Sequence, residues 1–285
     1  MTVAVDAIEA PAANGTALRR DSRINRAALA TTAILTLLFL ALPIIIVVPM
    51  SFSSAGTLQF PPPGFSLRWY QSFFGDPQWV EAALNSLAIG AVASTISLIF
   101  GTCAAYALVR GSFMSRRSLE ANFMAPMVLP PVIIAVSLYI FYARLGILGS
   151  YLGVIIAHVV LTAPYVVLLM SLAIRAFDVR IEQIAMTLGA SRLEMMVRIL
   201  LPNIMPNAAA AWLFAFVISF DEVVVTLFVS GSHLTVPKRM FNQLVLQINP
   251  TITAIATILI LLSLLCVAIA LWLTRGTGIF GKSRT

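Results

Sequence analysis

The chain has little charge. Asp, Glu, Lys and Arg make up only 10% of its 285 residues, where a soluble globular domain carries about a quarter. Apolar residues account for 60% and mean hydropathy is +0.98, which excludes an ordinary soluble domain and implies a polytopic membrane protein. Cysteine is nearly absent. Cys103 and Cys266 fall within apolar runs, with neither metal-ligand spacing nor a disulfide-rich setting, and read as buried thiols. The two histidines, His158 and His233, lie in an apolar run and a loop without companions that suggest a metal site. No Gly-rich phosphate loop ending in Lys-Ser or Lys-Thr is present, no His-Glu-x-x-His and no Gly-x-Ser-x-Gly. The chain is therefore expected to be no enzyme, to hydrolyse no ATP itself and to bind no cofactor of its own. The net charge of +7 is scattered between apolar runs rather than gathered on one face, so nucleic acid is not an expected partner.

What the chain does have is apolar length. A hydrocarbon layer of about 30 Å needs about 20 apolar residues per helix, and six stretches qualify: 28–50, 83–108, 121–143, 151–174, 207–230 and 251–274. The fold class is all-α, with six transmembrane helices. Pro43, Pro126, Pro130, Pro131 and Pro164 lie within these stretches; membrane helices tolerate proline but kink there, and Pro130-Pro131 marks the expected broken helix. Residues 1–27 are Ala-rich and polar and are expected as a tail without fixed structure, with no cleavable signal. Residues 28–274 form the expected permeation domain and 275–285 a second tail.

Basic residues orient this arrangement. Arg19, Arg20, Arg23, Arg26, Arg110, Arg116, Arg117, Arg175, Arg180, Arg192, Arg198, Arg275, Lys282 and Arg284 fall on one side, against Arg68, Arg144, Lys238 and Arg239 on the other. Lys and Arg concentrate on the cytoplasmic side, so both termini are expected there. The opposite loop from Ser51 to Ala82 holds "FPPPGFSLRWYQSFFGDPQW", a Pro-stiffened turn followed by aromatics, and reads as an interfacial segment on the outer face.

Between the fourth and fifth stretches, about Arg175 to Asn207, the connection is too long for a simple turn. Upstream of Gly189-Ala190, "DVRIEQIAMTL" predicts a helix with Ile181, Ile184, Ala185 and Leu188 on one face. Downstream, Ser191 and Glu194 have the spacing of a capping box, in which the hydroxyl takes an orphan amide and the carboxylate reaches back to the cap. Arg198 suits the negative pole of that short helix. Pro202 is expected to end it and Pro206 to open the next span. Leu193, Met196, Val197 and Leu200 line one side, with Met195 and Ile199 beside them. Two uses are open for this surface: packing under the bundle or on the membrane, and docking into a partner's groove, where flexible Met side chains fit well.

"QIAMTLGASRLEMMVRILLP" resembles the EAA motif of binding-protein-dependent ABC importer permeases, E-A-A-x3-G-x9-I-x-L-P. Ala185, Gly189, Ile199, Leu201 and Pro202 fall on the motif's second Ala, Gly, Ile, Leu and Pro. The motif's Glu position holds Gln183, with Glu182 one residue earlier, and its first Ala is Ile184. "FPPPGFSLRWY", "LNSL" at Leu84–Leu87, "HVVLTAPYVVLLM" and "SFDEVVVTLFVSG" are similar to the second permease component of spermidine/putrescine-type importers. The resemblance implies a type I ABC importer permease (MetI-like) fold in the bacterial inner membrane. It implies a second permease subunit in a heterodimer, two cytoplasmic ATPase subunits that use ATP and Mg, and an external, periplasmic substrate-binding protein. The segment 178–202 becomes the ATPase-coupling element, with Glu182, Gln183, Ala185, Gly189, Ala190, Ser191, Glu194, Ile199, Leu201 and Pro202 as its site residues. Gly189 supplies a bend that only a residue without Cβ makes cheaply. Polyamines are the implied substrate; opines and amino-acid derivatives are the alternative.

Asp221-Glu222 sits about 14 residues into the fifth stretch, or ~21 Å along it at about 1.5 Å per residue. A charge at that depth costs about 2.5–3.5 kcal/mol at the bilayer centre and less toward the interface, so the pair is expected to face a cavity or partner. Two readings are open: a cation-attracting gate on the substrate pathway, or a structural pair between permeases or bonded to Ser219 or Thr226. An ion-gradient-driven secondary transporter would be expected to carry matching helical repeats, which the chain does not display. A membrane scaffold would have no use for acids within a span.

Overall fold

The computed structural model describes residues 15–112, 115–246 and 249–274; the expectations for residues 1–14 and 275–285 lie outside them. Membrane-buried backbone must bond within its own segment, and the described residues are accordingly helical, with an isolated bridge between Ser53 and Phe65. Helix α1 spans Gly15–Ser51 and contains the first expected span as Ala28–Ser51. Its Thr32 and Thr36 hydroxyls donate to carbonyls one turn back, which allows polar side chains on an apolar helix.

The unit from Met50 onward is a bundle. A short amphipathic helix, α2 (Arg68–Gly75), precedes α3 (Pro77–Arg110). Of the aromatics expected at the interface, Phe73 and Trp79 turn inward onto Val236 and Ile255, while Phe60, Phe65 and Phe74 are exposed. Helices α4 (Arg116–Val128) and α5 (Pro131–Leu145) meet at an angle of 101°. Pro130 forces Leu129 to extended backbone, so the third span is broken where the Pro-Pro pair predicts. Helix α6 (Tyr151–Ala176) lies along α3. Small residues permit the close approach: a Cβ on Gly101 would sit 2.7 Å from Val166 Cγ1, and Ser97 and Thr162 share a 2.7 Å hydrogen bond between the two helices. Cys266 is buried, but Cys103 is exposed, on the α3 face that carries the exposed Ile99 and Phe100.

The fifth span departs most from expectation. After α7 (Val179–Thr187) and α8 (Arg192–Met195), the chain continues without a stop through a π-helical turn, Met196–Leu200, into α9 (Leu201–Phe220). Pro202 therefore ends no helix and Pro206 opens none; both lie within a 29-residue run, Arg192–Phe220. The π turn accounts for this. Leu201 N–H reaches back five residues to Met196 O, widening the helix where Pro202 has no N–H to give, and Asn203 Nδ2 donates to Ile199 O. Arg198 accordingly faces no helix C-terminus. The span then ends early, at Phe220, and a separate short helix, α10 (Val224–Val229), follows. Helices α11 (Val236–Leu246) and α12 (Thr251–Thr274) complete the bundle, with α12 and α3 packed against α9.

Candidate functional site

Segment 178–202 is built from two caps placed back to back. Asp178 accepts from Arg180 N and starts α7. After the last ordinary helical bond, Leu188 N–H to Ile184 O, two reverse bonds end it: Gly189 N–H to Met186 O and Ala190 N–H to Ala185 O. This is a Schellman arrangement, which needs a left-handed residue after the helix, and Gly189 supplies it with φ +93°. Ser191 then starts α8. Its Oγ accepts from Glu194 N–H, and Glu194 Oε2 accepts from Ser191 N–H, closing the expected capping box.

Burial sorts the site residues. Ala185, Met195 and Leu200 are buried in a cluster with Ala105, Met170, Ile174 and Ile204, and Ala190, Ile199 and Leu201 pack against it. Gln183, Gly189, Ser191, Glu194 and Pro202 are exposed. The apolar face expected on α7 does not pack: Ile181, Ile184 and Leu188 are exposed while Glu182 and Ala185 turn inward. On the following helix Leu193 and Val197 are exposed too, so the sides expected to act together are split between core and surface.

Glu182 turns inward because Arg110, the last residue of α3, waits there. Arg110 Nε and Nη2 donate to Glu182 Oε1 at 2.9 and 2.7 Å, and Nη2 also donates to the carbonyls of Ile174 and Phe177. One guanidinium thus takes two carbonyls at the C-terminal end of α6, those of Ile174 and of the capping Phe177, and neutralises an acid whose side chain is 5% exposed. Removing one partner of such a buried pair costs about 3–5 kcal/mol. Sequence reasoning did not find this pair; the available signal was a lone Arg closing one span and a Glu one residue out of motif register.

The acidic pair lies in the break between α9 and α10. The 20 residues of α9 run ~30 Å, one hydrocarbon thickness, so the pair sits at the far end of the span rather than partway along it. The two carboxylates differ. Glu222 Oε1 accepts from Val225 N–H and caps α10, whereas Asp221 is exposed. Neither carboxylate bonds Ser219 or Thr226. Those hydroxyls go instead to His158, whose Nδ1 lies 2.7 Å from Ser219 Oγ and Nε2 3.0 Å from Thr226 Oγ1. His158 is buried and so rivets α6 to both sides of the break; Ser219 and Thr226, spaced around the acids, were its signal in the sequence. Beyond α10, buried Lys238 donates to Ser230 Oγ at 2.7 Å and Gly231 O at 2.6 Å, and burial pushes its ammonium below the ordinary lysine range.

Residues 97–278 match the family of binding-protein-dependent transport system inner membrane components. The chain is 34% identical over 238 residues, 83% of its length and 92% of the relative's, to the spermidine/putrescine transport system permease protein PotC of Haemophilus influenzae. It is 36% identical over 230 residues, 78% of its length and 82% of the relative's, to the putrescine transport system permease protein PotI of Escherichia coli. Among solved structures, a bacterial ABC transporter that imports the acidic polysaccharide alginate matches with a TM-score of 0.65 at 18% identity, over 90% of this chain and 97% of that one. The bundle is thus the fold of ABC importer permeases, and the chain belongs to the family of binding-protein-dependent transport system inner membrane components.

Proposed function

We propose that this permease subunit forms half of the pathway by which an ATP-driven importer moves polyamines across the bacterial inner membrane, and that residues 178–202 are its handle for a cytoplasmic ATPase. In this reading two ATPase subunits use ATP and Mg, a second permease subunit completes a heterodimer, and a periplasmic binding protein delivers substrate. Both chain termini face the cytoplasm, on the side rich in Arg. The observation that carries the reading is the form of the segment: two capped helices held to the core by Ala185 and Met195, with Ile184, Leu188, Leu193 and Val197 left exposed around the Gly189 bend. Exposed apolar side chains on a rigid, capped turn suit a partner's groove better than water. Gln183 and Glu194 are the exposed polar contacts at its rim, and Glu182 acts from inside through Arg110. The polyamine assignment is supported by the relatives' substrates and by the exposed Asp221 carboxylate, whose charge favours cations.

The test uses the chain reconstituted with its co-purifying subunits, following labelled putrescine uptake with and without ATP. Uptake is expected only with ATP and is expected to be competed by spermidine more strongly than by an opine. Uptake by the isolated chain driven by a proton gradient would instead make it a secondary transporter. Gly189→Val puts Cβ into open space but onto left-handed backbone, at about 1–3 kcal/mol. It is expected to release the ATPase from the purified complex while the chain stays in the membrane. Undiminished ATPase recovery and uptake in that variant count against docking at this turn.

A further inference from the structure

We propose that α3 transmits motion between residues 178–202 and the acidic break at 221–223, with the ion pairs Arg110–Glu182 and Asp76–Arg239 as its two joints. The inference rests on the reading of 178–202 as the ATPase-docking element.

Helix α3 is suited to act as a rod. Its 34 residues extend ~50 Å, past both edges of a hydrocarbon layer of about 30 Å. Pro77 opens the helix and no proline follows within it, whereas α4 and α5 are parted at Pro130, α6 carries Pro164, and α9 and α10 are parted at the acids. The Gly101–Val166 approach and the Ser97–Thr162 bond splint α6 along its middle. A displacement at one end of such a packed pair is delivered at the other rather than absorbed between.

Each end grips the next element with charge. At one end Arg110 holds Glu182 of α7 together with the last carbonyls of α6. At the other, Asp76 caps α3 by accepting from Gln78 N–H and accepts Arg239 Nη2 at 2.7 Å. Arg239 Nη1 donates to Gln78 Oε1 at 2.8 Å, and its guanidinium lies 4.5 Å from the Trp79 ring centre. The next turns add two more bonds: Asn85 Nδ2 donates to Leu234 O, and Ser86 Oγ accepts from Val236 N–H. The first turns of α3 therefore hold residues 234–239, the entry to α11. From there the chain runs back through α10, whose first turn is capped by Glu222. A continuous set of contacts leads from Glu182 to Glu222.

The test uses the complex with its co-purifying subunits in proteoliposomes, with putrescine as probe, reading ATP hydrolysis and uptake in the same vesicles. Glu182→Gln and Asp76→Asn keep side-chain shape and remove the charge. Asp76→Asn is expected to leave the ATPase bound and hydrolysis within twofold, while putrescine moved per ATP falls at least fivefold. Glu182→Gln, which unpairs the buried Arg110, is expected to lower putrescine moved per ATP at least fivefold in the complexes that form, whatever their rate of hydrolysis. The double variant Asp76→Asn/Arg239→Gln is expected to lose no more than the larger of the two single losses, because both residues act through one pair, which a separate docking contact of Asp76 with a binding protein would not give. An unchanged putrescine-to-ATP ratio in Asp76→Asn overturns the proposal, and so does release of the ATPase by Glu182→Gln, which would assign that acid to docking. Failure of the docking reading shows separately, as Gly189→Val complexes that keep their ATPase and transport normally.

Discussion

Asp221 and Glu222 are chain neighbours of like charge, and the fold gives them different surroundings. Glu222 spends its carboxylate on the first turn of α10, while Asp221 is exposed at the end of α9. A pathway charge acting over a few ångströms in a wet cleft contributes about 1 kcal/mol. Asp221→Asn is therefore expected to lower putrescine uptake at subsaturating concentration roughly fivefold. Glu222→Gln, whose amide oxygen still accepts from Val225 N–H, is expected to change it less than twofold. Equal losses in the two variants would return the pair to a structural role. His158 is the other decisive residue of this region. His158→Phe keeps a ring but leaves the Ser219 hydroxyl without its partner and takes from Thr226 one of its two bonds. An unsatisfied buried group costs about 1–3 kcal/mol, so thermal unfolding in detergent is expected to shift down. Adding Ser219→Ala and Thr226→Val is expected to restore part of the loss, since removing both sides of a buried polar pair is nearly neutral. Additive losses in the triple variant would contradict the rivet.

At the scale of elements, the π turn at Met196–Leu200 sets how α8 is rotated relative to α9. Pro202→Ala returns an N–H that can close an ordinary four-residue bond, turning α8 by about 100°, one residue's rotation. In the present geometry Leu193 is exposed and Met195 buried. With Cys103→Ser as background, Leu193→Cys in the purified chain is expected to react with a membrane-impermeant thiol reagent while Met195→Cys is protected, and Pro202→Ala is expected to make Met195→Cys reactive too. An unaltered pattern would mean that packing of Met195, not the missing N–H, holds the π turn. The contrast with the Ser191–Glu194 box shows what was legible in the sequence. The box is complete within four residues, the six apolar stretches depend on composition, and the Pro-Pro break acts on the residue before it; all three were readable. The fate of Pro202 depended on widening the turn before it, the end of α9 on side chains arriving from α6, and the inward turn of Glu182 on an Arg 72 residues away. Pairings across such distances leave no periodic trace.

The whole molecule presents apolar side chains of two kinds. Leu84, Leu87, Val92, Ile99 and Phe100 on α3 and Leu261, Leu264 and Leu265 on α12 are all exposed, and lipid tails and a partner helix are equally apolar neighbours for them. Sequence could not separate the two for that reason: the positions read alike as span. Association separates them energetically. A partner that binds the folded chain alone stabilises it by about 2.7 kcal/mol at about 100 times its Kd, and about 1 kcal/mol moves the melting temperature of a chain of this size by roughly 2–4 °C. The chain co-expressed with the second permease subunit is therefore expected to melt roughly 5–10 °C higher in detergent than the chain alone. Adding excess lipid to the lone chain is expected to recover only part of that shift, because lipid covers both kinds of surface without supplying the partner's fixed polar contacts. A lone chain that melts as high as the co-expressed complex would mean that its exposed faces all belong to lipid, and that its half of the pathway stands without the other.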